Sequence, residues 1–275
     1  MTDVNGNLVT ELVELGLERR EARWLVEEFV PGADPDAARA LHLAAQRRLA
    51  GEPLQYVIGH WPFRTLDLDV DPRVLIPRPE TEELVDVALQ ELARLGVTAP
   101  AILDLGCGSG AIGLSILHEL QLRGIAGNLV ALDESSDALA VARRNALKHG
   151  LRAVSFVHSA WFNSLDATLQ GHFDLIVSNP PYVGASEMSE LDPVLGFEPR
   201  GALIAPDCAG VVGFADLAEI IRESPTWLAP HGVLVCEHGM SQREAATSAS
   251  RVAGFSEVDD LDDLAGHPRV LVARR

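Results

Sequence analysis

Four consecutive residues, Asn179-Pro180-Pro181-Tyr182, carry the most chemical meaning in the chain. They follow Phe173 to Ser178, a largely apolar run that reads as a strand. Two adjacent prolines remove two backbone donors and stiffen the turn, which leaves carbonyl groups free to face a ligand. The Asn179 side-chain oxygen and the Pro180 carbonyl then form a pair of acceptors for an NH₂ group. Accepting both N–H bonds of an amide aims the nitrogen lone pair at an electrophile, and Tyr182 can stack on the planar group. Because that lone pair is delocalised into the carbonyl, positioning has to supply the rate, up to roughly 7–11 kcal/mol of barrier. No strong base is needed, since the nitrogen becomes acidic once it has bonded to that electrophile and releases its proton to water. The plainer alternative is a rigid loop with a buried tyrosine.

A second constellation is Asp104-Leu105-Gly106-Cys107-Gly108-Ser109-Gly110, at the end of another short apolar run and ahead of a helical pattern. Residues without a Cβ at a strand-to-helix turn let backbone approach a ligand closely, at a helix N-terminus. The next apolar run ends in Asp133, whose carboxylate can accept from both hydroxyls of a ribose. Together these predict a nucleoside-containing cofactor. Gly108 to Gly113 also fits the dinucleotide fingerprint G-x-G-x-x-G, which is weak alone. The Asn-Pro-Pro-Tyr corner is what favours S-adenosylmethionine (SAM), a donor with a sulfonium methyl.

The elements that must position these residues follow from periodicity. Leu8, Leu12 and Leu15, then Ala22, Leu25 and Phe29, then Leu41, Ala44 and Leu49 recur at helical spacing, with Asp34-Pro35 as a helix start and Gly51 as a stop. Leu66, Leu68 and Val70 alternate with aspartates, which predicts a β-hairpin linking two domains. Leu84, Ala88, Leu92 and Leu95 mark a helix closed by Gly96. From residue 100 onward strands at 101–105, 129–132, 154–157, 173–177, 233–236 and 269–273 alternate with helices around Ile116, Val141 and Leu217. Such alternation predicts parallel strands with helices on both faces. The expected divisions are a helical substrate-recognition domain at 1–53, a hairpin linker at 54–78 and a catalytic domain at 79–275.

Composition narrows the functions. A net charge of −18 opposes nonspecific nucleic-acid binding, and the same charge near a cleft would steer a basic protein partner. The three cysteines are far apart and the nine histidines form no metal-ligand spacing, so neither disulfides nor a metal site is expected. With no long apolar run and no basic N-terminal cluster, a soluble, cytoplasmic protein without membrane association is the expectation.

The glycine loop with Asp133 resembles the class I SAM-dependent methyltransferases, and Asn179 to Tyr182 resembles their amino-methylating branch. More specific are Gly59 to Phe63, Leu75 to Glu82, Phe197-Glu198-Pro199 and Glu237-His238-Gly239, which resemble the peptide chain release factor glutamine N5-methyltransferases. That resemblance implies an α/β fold: a seven-stranded, doubly wound, Rossmann-like sheet with a small helical N-terminal domain and a linking β-hairpin. It implies that Gly106, Cys107, Gly108, Ser109 and Gly110 cradle the methionine part of SAM and that Asp133 holds the ribose. Trp161 would lie on the adenine, and Asn179, Pro180, Pro181 and Tyr182 would grip the glutamine of a Gly-Gly-Gln loop in class 1 release factors. One departure stands out. The family usually has an acid before that tryptophan, and this chain has Ala160, which predicts a weaker or differently held adenine. A ribosomal-protein glutamine methyltransferase, an adenine-N6 nucleic-acid methyltransferase, a dinucleotide oxidoreductase and a non-catalytic nucleotide-binding module remain the alternatives.

Overall fold

The computed structural model describes residues 2–30, 37–188 and 192–275. The Asp34-Pro35 helix start lies outside these residues. Helices α1 (Thr2–Glu14), α2 (Arg19–Phe29), α3 (Ala37–Leu49) and α4 (Leu54–Ile58) open the chain. Their apolar faces meet in one core containing Leu12, Leu25, Leu41, Ala44 and Val57. Two residues expected on those faces are exposed instead: α1 ends before Leu15, and Leu49 is the last residue of α3. Gly51, at φ +94°, turns the chain between α3 and α4.

Strands β1 (His60–Phe63) and β2 (Leu66–Asp69) pair antiparallel as the hairpin, with Phe63 opposite Leu66. The alternation read from the sequence holds in β2, where Leu66 and Leu68 are buried and the aspartates partly exposed. Arg64, in the turn, has a left-handed φ of 54° and is clamped there by Glu119 at 2.6 Å and Asp86 at 2.8 Å.

The remaining elements are α5 (Thr81–Leu95), β3 (Ala101–Leu105), α6 (Ala111–Leu122), β4 (Asn128–Asp133), α7 (Ser136–Lys148), β5 (Val154–His158), β6 (Phe173–Ser178), α8 (Ala215–Trp227), β7 (Leu228–Glu237), α9 (Arg243–Val252), β8 (Glu257–Asp262) and β9 (Pro268–Arg274). They build a seven-stranded sheet of order β5-β4-β3-β6-β7-β9-β8. Apolar cores lie on both faces, one with α5 and α6 residues such as Leu84 and Leu117, the other with α8 residues such as Leu217 and Ile221. Strands β3 to β7 run parallel, as expected, but β9 is antiparallel to both β7 and β8. The short turn from β8 to β9 forces this, because parallel neighbours need a long crossover.

The sequence reading did not find α9 or β8. The cause is visible in β8, where Glu257, Asp259, Asp260 and Asp262 surround the only two apolar residues, Val258 and Leu261, of an edge strand. Acids at an edge blunt unwanted pairing and also hide the strand from an apolar pattern. Among the described residues, no helix is long and apolar enough to cross a membrane.

Candidate functional site

The glycine loop and the Asn-Pro-Pro-Tyr corner leave the sheet from neighbouring strands. Parallel β3 and β6 run side by side, with Leu105 opposite Ser178. The Ser178 hydroxyl donates to the Leu105 carbonyl at 2.8 Å and pins the two strand ends together. From β3 the chain proceeds to β4 and β5 on one side, while β6 leads to β7 on the other. The C-terminal edge at such a reversal is where open α/β sheets bind ligands.

A cavity of about 360 Å³ occupies this edge, within the size range of small-molecule sites. Gly106, Gly108, Asp133, Trp161, Asn179 and Pro181 all line it. Gly106 has φ +70°, and a Cβ there would press on the Trp161 ring at 3.4 Å. Asp133 accepts from the Gly108 amide at 2.9 Å and the Ser135 amide at 2.8 Å, one on each oxygen. Each oxygen keeps a lone pair for a hydroxyl, and burial pushes the carboxyl pKa up. Trp161 sits at a left-handed φ of 44°. The Ser159 hydroxyl donates to its carbonyl at 2.8 Å, and its indole Nε1 donates to Asp216 at 3.1 Å. A glycine floor, a carboxylate and a fixed aromatic face suit a nucleoside.

Three loop residues do not reach the wall. The Cys107 thiol is buried in the core, the Ser109 carbonyl accepts from Asn145 at 2.9 Å, and the Gly110 amide donates to the Cys107 carbonyl at 2.7 Å. They hold the loop's shape. Beneath it, Asp104 is fully buried and accepts from the Gly113 amide at 2.9 Å through one oxygen. Its other oxygen has no partner among the described residues, and burial pushes this carboxyl up to about 7.

A second cavity, of about 460 Å³, lies on the far side of the corner and is lined by Arg78, Glu80, Tyr182, Glu237 and Arg269 among others. The corner thus faces two ways, with Asn179 on the first cavity and Tyr182 on the second. Pro180 is buried and lines neither cavity. Among the described residues no donor reaches the Pro180 carbonyl or the Asn179 side-chain oxygen.

Three residues the sequence reading gave no role hold this corner. Thr81, the first residue of α5, donates its hydroxyl proton to Glu237, the last residue of β7, at 2.7 Å. The same oxygen accepts from Asn179 Nδ2 at 3.2 Å. The Tyr182 hydroxyl donates to the other Glu237 oxygen at 3.3 Å. Burial pushes the Glu237 carboxyl up, opposed by the Thr81 bond and by the nearby Arg269 charge. Burial and that carboxylate together raise the Tyr182 phenol. Gly213, at φ +61°, packs so closely that a Cβ would lie 2.2 Å from the Tyr182 carbonyl oxygen. Thr81 and Glu237 fall in stretches that carried the family resemblance; Gly213 gave no signal. Farther out, Glu198 pairs with Arg78 and accepts from the Ile76 amide at 3.0 Å, which fixes the Ile76–Arg78 segment beside both cavities.

The chain is similar in sequence and in fold to known methyltransferases. The sequence pattern of the family described as "Methyltransferase small domain" matches residues 83–191. A release factor glutamine methyltransferase of Bordetella pertussis is 41% identical over 94% of this chain and 96% of its own length. One from Salmonella typhimurium is 42% identical over 83% of this chain and 78% of its own. Among solved structures, a 16S rRNA N2 G1207 methyltransferase of T. thermophilus, in complex with AdoMet and guanosine, superposes with a TM-score of 0.55 at 17% identity. That match covers 78% of this chain and 49% of the other. A methyltransferase of Pyrococcus furiosus gives 0.52 at 15% identity, over 86% of this chain and 98% of its own. These two likenesses concern the fold.

Proposed function

The chain belongs to the family of release factor glutamine methyltransferases, and we propose that it methylates N5 of the glutamine in the Gly-Gly-Gln motif of a class 1 peptide chain release factor. Support comes above all from one observation. Asn179 lines the first cavity, three residues before Tyr182 on the second, with its NH₂ group already engaged by Thr81, so its oxygen is left as an acceptor.

SAM, bound in the first cavity, supplies a methyl group made electrophilic by its sulfonium. Gly106 and Gly108 line the methionine side, Asp133 takes the ribose hydroxyls, and the Trp161 face carries the adenine. The substrate glutamine enters from the second cavity, past Tyr182. Its two N–H bonds go to Asn179 Oδ1 and the Pro180 carbonyl, which turns the nitrogen lone pair toward the first cavity. Pro181 keeps the corner rigid. A donor held in the first cavity would accept that lone pair at its methyl carbon, with the C–S electrons leaving on sulfur, and the nitrogen would then give its proton to water. Residues 1–53 serve as the unit that recognises the body of the release factor, 54–78 as the linker and 79–275 as the catalytic domain. The cytoplasm, where release factors act, is the place of reaction.

The test is incubation with methyl-labelled SAM and purified release factor, followed by mapping of the label. Label on the Gly-Gly-Gln glutamine is expected. Label on a ribosomal-protein glutamine, or on adenine in nucleic acid, with the release factor unlabelled, would replace this reading by another. Asn179→Ala is expected to abolish transfer while SAM still binds; loss of both would mean that Asn179 serves the cofactor first.

A further inference from the structure

We infer that Asp216 is the residue that recognises the 6-amino group of the adenine, and so sets the preference for an adenosyl donor over other nucleosides. This rests on the proposed use of the first cavity for SAM. An adenine lying on Trp161 presents an amino group that requires an acceptor. Position 160, next to the indole, offers only a methyl group. The Ser159 hydroxyl is already committed, donating to the Trp161 carbonyl and accepting from the Ser164 amide at 2.9 Å. Ser135 caps α7 by accepting from the Ala138 amide at 3.1 Å. Asn179 is tied to Thr81 at the opposite end of the cavity.

Asp216 differs from all of these. It lies in the first turn of α8, lines the cavity and touches the indole directly. One oxygen, Oδ1, accepts from Trp161 Nε1 at 3.1 Å. Among the described residues no donor reaches the other oxygen, and it is not among the fully enclosed polar atoms. A carboxylate that fixes an aromatic ring through one oxygen keeps its second oxygen beside the edge of that ring, where a base stacked on the ring presents its own edge. Glu134 is another carboxylate in the wall, close enough to Asp216 for the two charges to repel, but among the described residues it abuts Gly201 and makes no hydrogen bond to the Trp161 indole.

Two ligands that differ only along the 6-amino edge of the base, at position 6 and at the hydrogen on N1, separate recognition from packing. S-adenosylhomocysteine carries the amino group; S-inosylhomocysteine carries a carbonyl oxygen there, which a carboxylate repels. Binding of each to the full chain is measured by calorimetry for wild type, Asp216→Asn, Asp216→Ala and Glu134→Gln. Wild type is expected to prefer the adenosyl ligand by roughly ten- to hundredfold, the range for a hydrogen bond to a charged group. Asp216→Asn keeps an acceptor for Trp161 and turns an NH₂ toward the base, so the preference collapses or inverts. Asp216→Ala loses the preference by weakening the adenosyl ligand alone, and Glu134→Gln retains it. The inference is overturned if wild type does not discriminate, if either Asp216 variant still discriminates as wild type does, or if Glu134→Gln is the variant that loses the preference. If wild type binds neither ligand, the cofactor reading itself falls, which is a different failure from loss of selectivity alone.

Discussion

Thr81 has one hydroxyl proton, and its use decides which way Asn179 points. Ionised Glu237 accepts the hydrogen bond which that proton makes, so the threonine oxygen is left to accept from Asn179 Nδ2. The amide of Asn179 is thereby oriented by hydrogen-bond logic and not by its own density of contacts. Thr81→Val removes both bonds and is expected to lower kcat about tenfold to a hundredfold, the scale of a small misplacement of reacting groups. SAM affinity, read by calorimetry, should stay nearly constant; an equal loss of both would relocate Thr81 to the cofactor site. The same logic fixes a pH dependence. Glu237 must be ionised to accept from both Thr81 and Tyr182, and its carboxyl is pushed up from 4.5. Activity is therefore lost as pH falls through that raised value, with an acid limb above the ordinary glutamate range. In Glu237→Gln the limb should vanish from the kcat profile while kcat itself is low at every pH. Asp104 carries a stability counterpart. Its folded-state carboxyl, raised from 3.8 to about 7, holds a proton that the unfolded chain releases, so stability declines as pH rises between those values. Asp104→Asn cannot ionise, and denaturation midpoints should favour it over wild type increasingly from pH 5 to 8. Parallel curves would contradict the assignment. Asn179 and Tyr182 were legible in the sequence because they are contiguous and follow a strand. Their supports were not, because Thr81 lies 98 residues before Asn179 and 156 before Glu237. Only the closed sheet brings them together.

At the scale of elements, the apolar strands that flank the site announced themselves, because β3 and β6 are buried on both faces and read as apolar runs broken only by Asp104 and Asp174. The hairpin was legible from its alternation, but its purpose was not. Asp67 and Asp69 of β2 pair with Lys148 of α7 at 2.8 Å, and Asp69 also with Arg144 at 2.8 Å. These pairs are partly exposed and contribute little each. The buried link is Asn145. Its Nδ2 donates to the Asp69 carbonyl at 3.1 Å and to the Ser109 carbonyl at 2.9 Å, while its Oδ1 accepts from the Asp69 amide at 2.7 Å. One side chain of α7 thus ties the hairpin to the glycine loop. Asn145→Ala is expected to cost roughly 1–3 kcal/mol for each buried partner left unpaired. SAM binding should weaken with it, because the loop loses its brace. Loss of stability with unchanged SAM affinity would show that the loop holds its shape without the hairpin.

For the molecule as a whole, the net charge of −18 was legible in the sequence, and its distribution required the fold. The second cavity gathers Glu80, Glu83, Glu237 and Asp263 against Arg78 and Arg269. An acidic surround steers a basic protein loop, and added salt screens such steering over about 8–10 Å. Methylation of intact release factor should therefore slow through kcat/KM as salt is raised, with kcat nearly constant; a salt-insensitive kcat/KM would remove steering from the account. The most direct test of the central claim is a structure of the enzyme with S-adenosylhomocysteine and a Gly-Gly-Gln peptide. The account predicts the glutamine NH₂ donating to Asn179 Oδ1 and the Pro180 carbonyl, with its nitrogen facing the sulfur across the gap one methyl group would fill. A glutamine whose oxygen faces the sulfur, or which binds away from residues 179–182, would contradict it.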